Sequence, residues 1–210
     1  MKKINYFIAL TTLAVLFSAC SQSTSSVKRL PANEILGNLP GIEAYYHVKD
    51  SLFKAEYKDK YAAFENKKSI SQSDIKKMTQ ISEKEDQQKK ELRDERKKEY
   101  TEEAQKLIGK IIPVKNESQK FEVIDLKISK TSENGLTLKG KVKFLQDINS
   151  YNKILSYVPI DKNGKAIDAV GTHYLQANKK VSAGELIDYE FYFPVGKKYL
   201  NFAAIRFFEQ

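Results

Sequence analysis

The chain has a single cysteine among its 210 residues, and this cysteine stands at position 20. One thiol cannot form an intramolecular disulfide, a CxxC redox pair or a cysteine-based zinc site. Only two histidines are present, His47 and His173, and their spacing fits no zinc motif. The fold is therefore expected to depend on packing alone, without a metal ion or a cofactor.

Charge of one sign is not concentrated anywhere in the chain, which has 36 basic and 27 acidic side chains. Lys2 and Lys3 lie at the very start, which leaves 34 basic against 27 acidic residues, an excess of 7 spread over the remainder. A modest excess without a basic patch argues against nucleic acid as a partner. Tryptophan is also absent, although tyrosines can replace it in stacking on sugars.

Residues 1–20 begin with basic side chains, continue with an apolar run from Ile4 to Phe17, and end in small residues before Cys20. This is the order of regions in a secretory signal peptide. A transmembrane helix needs about 20 apolar residues, and this run is shorter. No later apolar segment in the sequence reaches that length. We therefore expect residues 1–19 to be removed; the alternative is a buried N-terminal helix with a free thiol.

The stretch Leu16-Phe17-Ser18-Ala19-Cys20 resembles the lipobox of bacterial lipoproteins. In that family a diacylglycerol is attached to the cysteine through a thioether before the chain is cut in front of it. Ser18 and Ala19 fit the pattern, whereas Phe17 replaces the usual aliphatic residue, as in the looser lipoboxes of the Bacteroidota. The resemblance implies that Cys20 is lipidated and that several acyl chains hold the protein at a membrane, at about 0.8 kcal/mol per buried methylene.

Residues 20–32 are polar and are predicted to form a lipidated, flexible tether. The 12 residues from Ser21 to Ala32 span at most about 40 Å, so the folded part stays near the membrane. In lipoproteins of this kind, an acidic cluster after the cysteine directs export to the cell surface, and an adjacent aspartate retains the protein in the inner membrane. Neither occurs here, so the resemblance implies the outer membrane, facing the periplasm.

Residues 33–109 have the pattern of a helical arm. Asn33 is placed to cap a short turn, and the Asn38-Leu39-Pro40-Gly41 segment is expected to break it. A longer helix is predicted to begin near Asp50 and to reach about residue 66. Aromatic residues recur on one face at helical spacing, which favours core packing over a ligand platform: Phe53, Tyr57, Tyr61 and Phe64.

A second helix is predicted from a capping box, formed by Ser71 and Asp74, to a glycine stop at Gly109. A helix of this length measures about 50 Å, so the arm is expected to be a helical hairpin with one long charged helix. The segment Glu83–Glu99 holds 7 acidic, 7 basic and 1 apolar residue, Leu92. Acid-before-base pairs four residues apart predict charges that stabilise the helix itself; the alternative is a coiled-coil surface.

Residues 110–210 change to a period of two, typical of half-buried strands. Leu136–Phe144 and Tyr189–Val195 alternate most regularly, and turn signals stand at Asn134-Gly135, Asn163-Gly164 and Ala183-Gly184. The pattern favours an α+β fold that ends in an antiparallel, immunoglobulin-like β-sandwich, although the cysteine and tryptophan of that fold are missing. The further strand candidates are 111–114, 121–128, 154–160, 166–175 and 202–208.

Asp50-Ser51-Leu52 resembles the motif at which Bacteroidota attach O-linked sugars to exported proteins. The resemblance implies glycosylation of Ser51, whose side chain must then face solvent. The alternative is that this segment caps the start of the helix predicted near Asp50.

The leading hypothesis is a non-catalytic lipoprotein, held in the envelope by its lipid, that binds an envelope protein or glycan as an adaptor. The sequence contains no GxSxG motif, Walker loop, dinucleotide fingerprint or zinc motif. The alternative is a glycan-binding module or an envelope hydrolase, because two carboxylates can assemble in space without a local motif.

Overall fold

The structure is a computed structural model that describes residues 29–65, 67–148, 153–175 and 180–209. Within these residues, two helices precede seven strands and one short 3-10 helix, which is an α+β arrangement. The helices are α1 (Leu39–Glu65), α2 (Gln72–Gln105) and the 3-10 helix Lys197–Asn201. The strands are β1 (Val114–Asn116), β2 (Phe121–Thr131), β3 (Gly135–Phe144), β4 (Lys153–Asp161), β5 (Gly171–Leu175), β6 (Leu186–Pro194) and β7 (Phe202–Glu209).

Helix α1 begins at Leu39, so the prediction that it starts near Asp50 was wrong. The short turn before it is capped as predicted, because the side-chain oxygen of Asn33 accepts two backbone N–H groups at 2.9 and 2.8 Å. The expected break at residues 38–41 is instead the first turn of α1. Pro40 is tolerated there because the first N–H groups of a helix have no acceptor within it.

Helix α2 begins at the predicted capping box. The Asp74 N–H donates to Ser71 Oγ, and the Ser71 N–H donates to an oxygen of Asp74, both at 3.1 Å. α1 and α2 pack as a hairpin, with the aromatic stripe of α1 against α2. Tyr57 is buried, its ring centroid lies 4.6 Å from that of Phe53, and its hydroxyl donates to Gln88 Oε1 at 2.7 Å. The predicted packing role of the stripe is confirmed at Tyr57.

Charged residues in the last third of α2 contact other elements, and Arg96 and Lys97 reach the sheets. Arg96 pairs with Glu43 of α1 at 2.8 Å and donates to Asn134 Oδ1, in the β2–β3 turn, at 2.9 Å. Lys97 pairs with Glu133 in the same turn. The prediction that these charges serve only their own helix was therefore wrong for this part of α2.

Farther from the sheets, the charges of α2 stabilise the helix as predicted. Glu85 and Lys89 form an ion pair at 2.6 Å within one face of the helix. From Arg96 back to Gln72 the helix runs for about 36 Å. This distal part of the hairpin, with the facing part of α1, projects from the sheets as an arm.

The strands form two sheets, with the orders β1-β7-β4-β5 and β2-β3-β6. The inner faces of the two sheets meet through aromatic rings, with 4.7 Å between the centroids of Tyr157 and Phe191 and 5.6 Å between those of Phe193 and Phe202. β1 runs parallel to β7, so the prediction of an entirely antiparallel region was wrong at this edge. The long connection between these two strands is what makes a parallel pair possible.

Most strand candidates coincide with observed strands, but two do not. In the candidate at 166–175, the strand begins only at Gly171. Before it, Ala166 forms one isolated bridge to Ile160 of β4. The candidate at 111–114 is displaced, since β1 covers Val114–Asn116. The residues before β1 pair instead with β2.

This pairing with β2 joins α2 to the sheets. The Ile112 N–H donates to the Leu126 carbonyl at 2.8 Å, and the Ile128 N–H donates to the Lys110 carbonyl at 3.0 Å. Gly109 has a φ of 85°, which favours glycine, and its N–H donates to the Ile128 carbonyl at 2.8 Å. Helix α2 itself ends at Gln105, four residues before the predicted glycine stop, and the chain turns through residues 106–109 into strand pairing.

One cluster of buried apolar residues includes both helices and both sheets. Its members from the two helices and the turns that flank them all come from the end of the hairpin nearest the sheets: Leu36, Leu39, Ile42, Tyr46, Tyr100, Ala104 and Leu107. Tyr57 is buried outside this cluster, farther along α1. The predicted helical region and the predicted β region thus share one core at the hairpin base.

Phe191 and its neighbour Tyr192 provide a test of the buried face of β6. Phe191 is 3% exposed among the inner rings, whereas Tyr192 is 48% exposed on the other face. We expect Phe191→Ala to lower the free energy of unfolding by about 3 to 5 kcal/mol. Tyr192→Ala should lower it much less. Urea titrations of both variants measure the free energy of unfolding. Equal small decreases in the two variants would contradict the assignment of the buried face.

The capping box predicts a pH-dependent contribution to stability. Hydrogen bonds from Lys67 and Ser71 lower the pKa of Asp74 from 3.8 to about 2. Because the folded-state pKa lies below the unfolded one, the stabilisation is complete above about pH 4 and is lost as the pH falls toward about 2. We expect Asp74→Asn to lower the melting temperature at neutral pH and to match the wild type near pH 2. If the melting temperatures of the variant and the wild type differed equally at every pH, ionised Asp74 would not be the source of the stabilisation.

Candidate functional site

The structure describes one of the two site residues predicted from sequence. Cys20 lies outside the described residues, so its predicted lipidation stays a prediction. Ser51 is exposed within α1, and its hydroxyl donates to the His47 carbonyl at 2.9 Å. Because α1 begins at Leu39, the alternative of a helix cap at this segment was wrong. The exposed hydroxyl satisfies the steric requirement of a sugar acceptor.

The last residues of the predicted tether are described, and Arg29 is held against the hairpin base. Its guanidinium donates from Nη2 to Glu99 Oε1 at 2.9 Å, and Nη1 lies 2.7 Å from Glu99 Oε2 as an ion pair. The Arg29 Cζ atom lies 4.2 Å from the ring centroid of Tyr45. The Tyr46 hydroxyl donates to Glu99 Oε1 at 3.0 Å. We call these four residues the Arg29 clamp.

The charges of the Arg29 clamp stabilise each other. The hydrogen bond from Arg29 lowers the pKa of Glu99, and the same bond raises the pKa of Arg29. Burial, together with the hydrogen bond to Glu99, raises the pKa of Tyr46, so its hydroxyl stays protonated as a donor. Two-pronged pairing of arginine with a carboxylate fixes orientation as well as distance. The clamp therefore defines where the tether leaves the folded part.

A shallow cavity of about 280 Å³ lies beside the clamp and is lined by three glutamates, Glu99, Glu102 and Glu103. Burial acts to raise the pKa of Glu103, but the Asn38 N–H at 2.9 Å and Lys106 at 3.0 Å outweigh it, so that the pKa is lowered. Glu99 and Glu103 are therefore ionised acceptors. The general acid of a glycosidase instead needs a raised pKa, so neither residue suits that role.

A second open cavity, of about 600 Å³, lies between β7 and the connection from β1 to β2. Its charged side chains are paired with each other. Lys120 lies 2.6 Å from Glu209, whose pKa is lowered by this contact, and Arg206 lies 3.7 Å from Glu117. The pairing leaves little free charge for a ligand.

The two histidines occupy different environments. His47 is exposed on α1, whereas His173 on β5 lies between aromatic rings, 5.6 Å from Tyr157 and 5.7 Å from Tyr189 between ring centroids. Burial lowers the pKa of His173, which favours the neutral imidazole. Throughout the described ranges, no group of three or more histidine, cysteine, aspartate or glutamate side chains is arranged to hold a metal ion.

The Arg29 clamp was not predicted from the sequence. Arg29 and Glu99 are 70 positions apart, and Tyr46 and Glu99 are 53 apart, so no local motif joins them. Arg29 stood within the segment predicted to be free tether. Arg29, Tyr46 and Glu99 come together only through the packing of α1 against α2.

No family model matches the chain, and no curated protein matches it. Among solved structures, the crystal structure of Campylobacter jejuni cj0090 is similar at 15% identity, over 46% of this chain and 97% of that chain, with a TM-score of 0.23. A similarity of this size assigns neither fold nor function. In the part of the chain that the structure describes, no helix is both long and apolar enough to cross a bilayer.

The Arg29 clamp predicts protection from trypsin, which must take the Arg29 side chain into its own acidic pocket. Glu99→Gln removes the charge that holds the guanidinium. We expect cleavage after Arg29 to become several-fold faster, with little change in melting temperature, because the pair is partly exposed. Mass spectrometry identifies the cut. Glu102→Gln, in the same cavity, is the matched control, and equal cleavage of both variants would contradict the clamp.

Proposed function

We propose that this chain is a lipid-anchored, non-catalytic protein of a bacterial cell envelope that acts by binding another envelope component. The observation that carries the proposal is the order of residues 1–20, a basic start and an apolar run followed by Ser18, Ala19 and Cys20. The polar segment behind Cys20 lacks the acidic cluster and the adjacent aspartate described above. This supports the outer membrane, on its periplasmic side, as the location.

The Arg29 clamp supports a binding protein held close to its membrane. Only nine positions separate Cys20 from Arg29, so the hairpin base is held within about 30 Å of the lipid. The arm extends for about 36 Å beyond the contact of α2 with the β2–β3 turn. An anchored base and a projecting arm suit an adaptor that positions a binding surface at a limited distance from the bilayer.

We further propose that the two sheets are an immunoglobulin-like β-sandwich in the broad sense of seven strands in two facing layers. The strand order differs from that of the immunoglobulin constant domain, because β2 and β3 are neighbours here, whereas the second and third strands of that domain lie in opposite sheets. Domains of this architecture commonly present binding surfaces, but the fold itself specifies no ligand.

The second candidate, a glycan-binding module or envelope hydrolase, is favoured by the three glutamates that line the cavity beside the clamp. The lowered pKa values of Glu99 and Glu103 support binding over hydrolysis. A glycan array probed with the acylated protein distinguishes the two candidates. A sugar ligand lost on Glu102→Gln would favour the glycan-binding function.

Lipidation of Cys20 is tested by Cys20→Ala. The variant lacks the atom that carries the lipid, so we expect it to leave the membrane fraction or to accumulate as an uncleaved precursor. Labelling of cells with radioactive palmitate should mark the wild-type protein and not the variant. A cleaved Cys20→Ala protein that still sediments with membranes would show that protein contacts, rather than lipid, hold it there.

A further inference from the structure

The hairpin tip, defined as residues 67–78, exposes two isoleucines to solvent. Ile70 is 50% exposed and Ile75 is 55% exposed. They stand at the two positions of a hydrophobic staple, one residue before and four residues after the N-cap Ser71 of α2. A staple explains why both residues are apolar. It does not account for the half of each side chain that remains in water.

Basic side chains surround this apolar pair. Asp74 is the acidic residue of the tip, and its carboxylate is occupied by Lys67 and by Ser71 of the capping box. Together with Glu65, the last residue of α1, it gives two carboxylates against four lysines. Three of these lysines are exposed and lie close in sequence to the isoleucines: Lys68, Lys76 and Lys77.

We propose that the hairpin tip is a membrane-contact site, which inserts Ile70 and Ile75 into the headgroup region of an anionic bilayer. Apolar side chains flanked by lysines are the chemistry that lies in this interface, where the apolar part is buried and the ammonium groups meet lipid phosphates. The long lysine stems allow the charges to stay at headgroup level while the isoleucines enter.

The position of the tip favours this occupant. It lies about 36 Å along α2 from the contact with the β2–β3 turn, so the sheets do not prevent its approach to a flat surface. The contact would be independent of lipid on Cys20, and it would add a second attachment to the one in the proposed function. A chain without Cys20 therefore tests the tip alone, and its failure would leave the lipid anchor unaffected.

The experiment uses residues 21–210, which include every described residue and no cysteine. Co-sedimentation is measured with vesicles of phosphatidylcholine, with and without about one third phosphatidylglycerol. We expect binding to the anionic vesicles only, weakened by salt that screens the lysines. The double variant Ile70→Ser/Ile75→Ser should bind about tenfold more weakly, and so should the triple variant Lys68→Glu/Lys76→Glu/Lys77→Glu.

Matched controls lie elsewhere on the same chain. Val48 and Leu52, on α1, are 42% and 50% exposed, so Val48→Ser/Leu52→Ser removes similar apolar surface away from the tip. A charge control changes three exposed lysines of the β2–β3 pair to glutamate: Lys127, Lys139 and Lys141. Both controls should bind within about twofold of the wild type if the tip is the contact.

A second readout does not depend on the stability of the variants. A polarity-sensitive dye on Ile70→Cys should shift to shorter wavelength with anionic vesicles, while the same dye on Val48→Cys should not. Equal dye shifts at both positions, equal losses in tip and control variants, or no vesicle binding by the wild type would each overturn the proposal. It would equally be overturned by self-association that requires Ile70 and Ile75 and occurs without vesicle binding.

Discussion

The packing of the hairpin base against the two sheets is the interaction on which the rest of the structure depends. Two helices alone bury too little apolar surface to offset the entropy of ordering them. Here Tyr100, Ala104 and Leu107 enter the same core as the inner rings of the sheets. The hydrogen bonds from Gly109 and Ile112 to β2 then fix the direction in which α2 leaves that core. The distal arm is ordered because it continues from helices whose base is packed against the sheets.

The ion pairs along α2 have different roles at different distances from the core. Near the base, Arg96 and Lys97 join α2 to α1 and to the β2–β3 turn, so their contacts determine how the helices lie on the sheets. Toward the tip, pairs such as Glu85–Lys89 stabilise only the local helix. The distal arm should therefore open more readily than the base.

The elements that local pattern determines were predictable from sequence, and those that long-range pairing determines were not. The capping box at Ser71, the glycine turn that follows α2 and the alternation in β3 and β6 follow from side chains only a few positions apart. The start of α1 was missed because Pro40 breaks a helix interior but is tolerated in a first turn. The parallel β1–β7 pair and the bond between Arg29 and Glu99 join distant segments, for which periodicity carries no signal.

The place of the Arg29 clamp has a mechanical consequence for an anchored protein. A pull on the tether enters the molecule at Glu99, one residue from Tyr100 in the shared core. Tension therefore passes into the shared core and bypasses the distal arm. A tether attached at the far end of α1 would instead pull the two helices apart. In the proposed anchored state, a force on the tether would leave the shape of the arm unchanged.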